Sequence, residues 1–342
     1  MNEKKSFFQN MNRIPSSVRK IFLLLCKFLF AIIILLILQR YDILQIDLLE
    51  DLFRRPLLLS GLVLYIGSTF FLCALRWQML MKIQNIEVLF SHVFSAVYVS
   101  AFVSLFLPGA ISGDVVRTVI GLKFNNNQKL NIALSVIMDR LIGMMGLVTL
   151  GFFAGVFICF TKKESSIILI NICMIFFFII ILFLMISFFS KRILEIMNIK
   201  NWNEKKSIYQ LIHKAVNALA VYGRSPKSMM HCWGISVIVH AQHLTLLLAC
   251  GIIIGMSGVE SSLYAFAGVV AFIINFLPVT PGGLGVGEIT FSHVIEVVSS
   301  HTNEFQAYGS MMLAYRSVLA LSLVPALLFL FQTYRLFRKM EK

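Results

Sequence analysis

The chain has 342 residues, of which 58% are hydrophobic and 13% charged, and its formal net charge is +14. Long uncharged apolar runs at that composition exclude a soluble globular protein and point to a multi-pass membrane protein. The basic residues are spread over short loops between apolar runs, which fits cytoplasmic-loop bias and attraction to anionic lipid and speaks against a nucleic-acid partner.

In chain order, residues 1–20 form a basic N-terminus, and an apolar run follows at 21–38. A secretory signal has a similar flank, but this run is long and lacks a small-residue cleavage site, so a retained first span is expected. Further full spans are expected at 57–75, 133–160, 166–189, 229–256 and 309–334. Each is near or above the roughly 20 residues that cross the hydrocarbon core, and together they make six. Cys26, Cys73, Cys159, Cys173, Cys232 and Cys250 all lie in apolar runs with no C-x-x-C and no His/Cys ligand spacing. Neither disulfides nor a metal site is expected from them.

Two segments, 88–122 and 260–299, fit differently. The first holds AFVSLFLPGAISGD from Ala101 to Asp114, and the second holds AFIINFLPVTPGGLGVGE from Ala271 to Glu288. Both read Ala-Phe, three residues, Phe-Leu-Pro, then a glycine-rich stretch closing on an acid, with their first alanines 170 positions apart. Backbone broken in this way survives at membrane depth only if it is buried in protein or lines a wet cavity. Pro108, Gly109 and Gly113 in the first copy, and Pro278, Pro281, Gly282, Gly283, Gly285 and Gly287 in the second, are expected to make the turns. Glycine permits positive φ and close backbone approach, and freed amides at a half-helix start suit an anion; packing alone would serve for any one glycine but accounts poorly for the run as a whole.

Charge then sets the topology. With a cytoplasmic N-terminus, and each patterned segment entering and leaving on one side, the inside segments hold 22 of the 30 lysines and arginines. These segments are 1–20, 76–87, 115–130, 190–228 and 335–342. Outside lie Arg40, Arg54, Arg55, Lys162 and Lys163, and within spans only Lys27, Arg140 and Arg316. The first hairpin therefore dips in from the cytoplasm and the second from outside, the sequence trace of an inverted-topology repeat with a site near the midplane. The expected fold is an all-α polytopic membrane protein with six full transmembrane helices plus two re-entrant helical hairpins in inverted-topology repeats. It forms one transmembrane domain over 21–335 with a cytoplasmic tail at 336–342. The basic loop 190–228 carries Trp202, Tyr209 and Tyr222, and its stretch 208–221 suits a short amphipathic helix on the anionic leaflet.

Charges within spans cost at least about 2.5–3.5 kcal/mol each on insertion scales, so they need partners or water. Asp114 is followed 26 residues later by Arg140, and Glu288 is followed 28 residues later by Arg316. With Arg117 these five are the candidate substrate-binding residues: guanidinium forks match phosphate oxygens, and the acids would hold the arginines or meet a cationic headgroup. The alternative is that Asp114 with Arg140, and Glu288 with Arg316, are fixed ion pairs that only pin hairpins to helices. Arg117 has the further alternative of a place at the cytoplasmic surface. Asp139, about 100° around the helix from Arg140, reads as a local partner, an interfacial residue or part of the cavity. His240 and His243, three apart on one helix face, read as a hydrogen-bonded polar patch ahead of a proton relay. Asn275 is a candidate for capping carbonyls or touching a headgroup, and His293, with Glu296, for the outer mouth of the cavity or the interface.

The FLPGAISGDVVR stretch with its following Asp-Arg helix, and LPVTPGGLGVGE with its following Tyr-Arg helix, resemble the integral-membrane domain of lysylphosphatidylglycerol synthases, the flippase half of the multiple peptide resistance factor. The resemblance spans about 20–335 and is most specific at PGGLGVGE. It implies a lipid-translocating bacterial protein of the cytoplasmic (inner) membrane with two opposed re-entrant hairpins, its relatives being linked to aminoacylated phospholipids, polyprenyl-linked glycolipids or hopanoids. With a basic tail at Lys342, no soluble transferase domain is expected, and only the transport half is carried over.

The expected function is a lipid flippase moving a phospholipid or lipid-linked headgroup through a central charged cavity, with no cofactor. Its expected partners are membrane lipids, together with a separate synthase or a second copy of the chain. No G-x-x-x-x-G-K-[ST] is present, so the driving force is expected from an ion gradient, the membrane potential or mass action. The rivals are an integral-membrane transferase acting on a lipid-linked substrate and a membrane scaffold for a separate synthase. Against catalysis, the chain has no D-x-D, H-E-x-x-H or G-x-S-x-G.

Overall fold

The computed structural model describes residues 29, 32–41, 44–107, 111–124, 128–161, 170–179, 221–256, 260–277, 279–280, 282–299 and 308–330. These form helices and turns, with no strand among them. After a helical stretch at 32–40, the elements are α1 (Leu49–Phe53), α2 (Pro56–Ile83), α3 (Phe90–Ser104), α4 (Ile111–Leu122), α5 (Lys129–Thr161), α6 (Ile170–Ile179), α7 (Pro226–Ile253), α8 (Ser261–Ile274), α9 (Val286–Ser299) and α10 (Tyr308–Leu323). Three of them, α2, α5 and α7, are long and apolar enough to cross a membrane, at 28, 33 and 28 residues. At 1.5 Å per residue they reach about 42–50 Å, beyond the ~30 Å hydrocarbon core. The expected spans at 21–38 and 166–189 are described only in part, and the stretch 208–220 lies outside the described residues.

Two expected boundaries are corrected. The run expected to end at residue 75 continues as helix to Ile83, and Arg76 lies buried within it instead of in a cytoplasmic loop. The helix passes through the charge because Arg76 is neutralised internally, as shown below. The run expected at 309–334 is helical only to Leu323, then turns at 324–325 before helix resumes at 326–330. Pro325 accounts for the break, since its ring removes a backbone donor and crowds the preceding turn.

The helices fall into two matched halves, α2–α5 and α7–α10. Pro56 and Pro226, each at a first helical position where a missing N–H is harmless, open helices of 28 residues and stand 170 positions apart. At the centre α2 packs against α7. Helix α5 packs on α7 and α8, and α10 correspondingly packs on α2 and α3. Within each half the two short helices pack on each other, and the second of them packs on the helix that follows. Exchanging the halves maps the central α2–α7 pairing onto itself and each of the others onto another.

Each pair of short helices is a hairpin whose first arm is apolar and whose second arm carries charge. Helices α3 and α4 have 15 and 12 residues and α8 and α9 have 14 each, which is about 18–22 Å and less than the hydrocarbon thickness. The arms of the first hairpin run antiparallel: a Cβ at Gly113 would stand 3.1 Å from the Ser104 Cβ near the turn, and the His92 and Phe124 rings stack at 5.8 Å at the open end. In the second, Tyr264 stacks on Phe291 at 6.2 Å. The largest apolar cluster joins both halves, bringing Leu147 of α5 together with Leu247, Phe266, Phe291, Met311 and Val318.

Candidate functional site

In the second half, Glu288 lies on the first turn of α9 and is fully buried. Its Oε2 accepts the Gly285 N–H at 2.7 Å, and its Oε1 lies 2.8 Å from Arg316 Nε, close enough for an ion pair but not aligned as a hydrogen bond. Arg316, on α10, also donates through Nη2 to the Gly283 carbonyl at 2.8 Å and to Asn275 Oδ1 at 3.2 Å, and through Nη1 to the Gly282 carbonyl. One guanidinium thus gathers the hairpin tip onto the next helix. The tip accepts this role because Gly282, Gly283 and Gly285 take φ values of +58°, +73° and +81°, a left-handed run that side chains rarely tolerate.

In the first half the corresponding pair is Asp114 on α4 and Arg140 on α5. Arg140 Nε donates to Asp114 Oδ2 at 2.7 Å and Nη2 joins the same oxygen. This pair is less enclosed, with 23% of the arginine and 26% of the carboxylate side chain exposed. The Arg140 guanidinium also sits 5.0 Å over the ring of Phe276, a residue of the other hairpin's tip. A Cβ at Gly282 would lie 3.8 Å from the carbonyl of Leu105, at the first hairpin's turn. The two tips therefore meet, and the acid–arginine pairs flank the meeting point.

A second charged group lies deeper. Asp139, beside Arg140 in sequence, is buried and accepts from two arginines. Arg76 grips it side-on, Nε to Oδ1 at 2.7 Å and Nη2 to Oδ2 at 3.0 Å, while Arg117 Nη1 donates to Oδ2 at 2.7 Å. Arg76 Nη1 also donates to Ser236 Oγ of α7 at 2.6 Å, so this network ties α2, α4, α5 and α7 together. Arg117 stacks over Trp77, 4.0 Å from Cζ to the ring centre, and Trp77 Nε1 donates to Ser135 Oγ at 2.9 Å.

Sequence reasoning named Asp114, Arg140, Glu288, Arg316 and Asn275, and the structure brings them to the tips. Arg117 is buried, which corrects the surface alternative, and Asp139 is an interior partner of two arginines instead of an interfacial residue. Gly113 and Gly287 are corrected from turn residues to helical ones. Their contribution is space, since a Cβ at Gly287 would fall 2.5 Å from Arg316 Nη2. Pro108, Gly109, Pro278 and Pro281 lie outside the described residues. His243 Nδ1 bonds Oη of Tyr315, the residue before Arg316, at 2.8 Å, and His240 lies beside His243 with ring centres 6.2 Å apart, a polar patch. His293 is exposed on α9 and is not drawn into the charged cluster. Arg76, Trp77, Ser236 and Phe276 were missed. Arg76 carried one signal, an arginine at the edge of an apolar run with few charges nearby.

Among the described residues no group of three His, Cys, Asp or Glu side chains is placed to hold a metal ion. What the cluster offers is guanidinium donors, two of them buried, where charge-assisted bonds to phosphate or carboxylate oxygens are strong. Neither a curated protein nor a solved structure matches the chain. Residues 21–326 match the family model described as the lysylphosphatidylglycerol synthase TM region, and the chain is a multi-pass membrane protein belonging to that family.

Proposed function

We propose that the protein is a lipid flippase: a phospholipid or lipid-linked headgroup passes through the interior where the hairpin tips meet, while the acyl chains stay in the bilayer. In this reading six full spans enclose two re-entrant hairpins, the first entering from the cytoplasm and the second from outside. The protein sits in the bacterial cytoplasmic membrane with both termini inside. The observation that carries it is the meeting of the tips, Leu105 against Gly282 and Arg140 over Phe276, with an acid–arginine pair from each half beside it. Arms of about 18–22 Å that end in the interior suit broken helices better than complete spans. The arginines supply donors for a phosphate, and the acids hold them when no headgroup is bound.

The reading is transport, not catalysis, and its test separates the two. Purified protein in liposomes containing a headgroup-labelled lipid is expected to move label between leaflets without forming a new lipid species. Arg140→Ala and Arg316→Ala are expected to lose that movement at normal expression. A new lipid product without movement of the label would favour a transferase and overturn the reading.

A further inference from the structure

We infer that the side-on edge of Arg117, formed by its Nε and Nη2, is a binding site for one singly charged phosphodiester group carried by a lipid. The inference rests on the transport reading for its ligand class. Its geometry stands apart from the pairs at the hairpin tips.

Three features converge on this edge. The Arg117 side chain is 8% exposed, and its Nε and Nη2 are buried with no hydrogen-bond partner among the described residues. In a planar guanidinium these two N–H groups point the same way and grip two oxygens of one carboxylate or phosphate. Arg76, bonded to the same Asp139, uses that edge on both carboxylate oxygens. Arg117 instead reaches Asp139 through Nη1 alone. The remaining edge is held in place, because Trp77 covers the guanidinium face and is itself anchored on Ser135.

Charge points to the same group. Inside the described bundle, Arg76, Arg117, Arg140 and Arg316 face Asp114, Asp139 and Glu288, a surplus of one positive charge. Asp114 and Glu288 each form a direct ion pair with one arginine, whereas Asp139 forms one with each of two, so among these pairs the surplus falls on the Arg76–Asp139–Arg117 group. An unmatched charge in such an interior is costly. A phosphodiester carries the single negative charge that balances it, whereas a phosphomonoester approaches two near neutral pH. Among the described residues the second half has no such edge. Three residues after Glu288, where the first half places Arg117 after Asp114, stands the fully buried Phe291.

The test is calorimetric titration of the full chain in detergent with dihexanoyl phosphatidylglycerol, dihexanoyl phosphatidic acid and inorganic phosphate. One phosphatidylglycerol per chain is expected to bind, more tightly than either other probe. Arg117→Lys, which keeps the charge on Asp139 but loses the edge, is expected to weaken it about tenfold, roughly 1.4 kcal/mol. Equal affinity in Arg117→Lys overturns the assignment to this edge. Tighter phosphatidic acid overturns the single charge, and equally tight inorganic phosphate overturns the lipid source. Should Arg117→Lys fail to fold, nitrogen-15 arginine labelling of the wild type decides. One arginine Nε–H is expected to couple to the phosphorus of the bound lipid, and none coupling overturns the site. Wild-type protein that moves lipid in liposomes but fails these tests removes the Arg117 site alone, and protein that passes them but never moves lipid removes the transport reading alone.

Discussion

The two halves share a backbone plan and differ in how they use it. Each opens on a proline-started helix of 28 residues, folds a short hairpin, and sets an acid on the hairpin's returning arm against an arginine on the next helix. In the second half that arginine is consumed locally by a fully buried glutamate, two tip carbonyls and Asn275. In the first half Arg140 keeps about a quarter of its side chain exposed and leans across to Phe276 of the opposite tip, while a second network collects Arg76, Arg117 and Asp139. The repeat thus delivers equivalent positions, and the side chains divide the labour: the second hairpin is pinned, and the first holds the more accessible pair and the surplus charge.

The largest expected effect tests the network found in the first half alone. Asp139→Ala strips the partner from two buried arginines, and a loss of about 3–5 kcal/mol is expected, read as a marked fall in thermal midpoint in detergent or as loss of folded protein. Little change would mean that the network contributes no fixed structure. Next is Gly283→Ala, which forces a side chain into φ +73° with its Cβ against Asn275 Oδ1. About 1–3 kcal/mol of destabilisation is expected, with loss of lipid movement, if the second tip must be pinned. Asp114→Asn should cost only about 1–2 kcal/mol because the pair is partly exposed, yet should impair lipid movement. A variant that moves lipid normally would make the first pair a mere strut. Smallest is Tyr315→Phe, which removes the hydroxyl bonded to His243 and is expected to cost about 0.5–1.5 kcal/mol in thermal stability.

The contrast also explains what the sequence made legible. Proline and glycine inside apolar stretches are so costly in lipid that both hairpins stood out, and their helices fall within 88–122 and 260–299. The acid–arginine pairs were readable because few charges interrupt the apolar stretches around them. Arg76 was not, because an arginine after an apolar run looks like a cytoplasmic flank, and only the folded chain places Asp139 and Ser236 beside it. Asp139 was ambiguous for the same reason, since its partners lie 63 and 22 residues away. Gly113 and Gly287 resembled turn residues by composition, while their actual use, admitting Ser104 and Arg316 at close range, depends on packing that no local pattern encodes.

The opposed entry of the hairpins is tested most directly by labelling single cysteines at their exposed bases with a membrane-impermeant maleimide, in sealed vesicles of each orientation. Glu87→Cys, just before α3, is expected to react only from the cytoplasmic face, and Glu260→Cys, just before α8, only from the opposite face. Reaction of both from one face would contradict the inverted arrangement and the meeting of two opposed dips on which the transport reading depends.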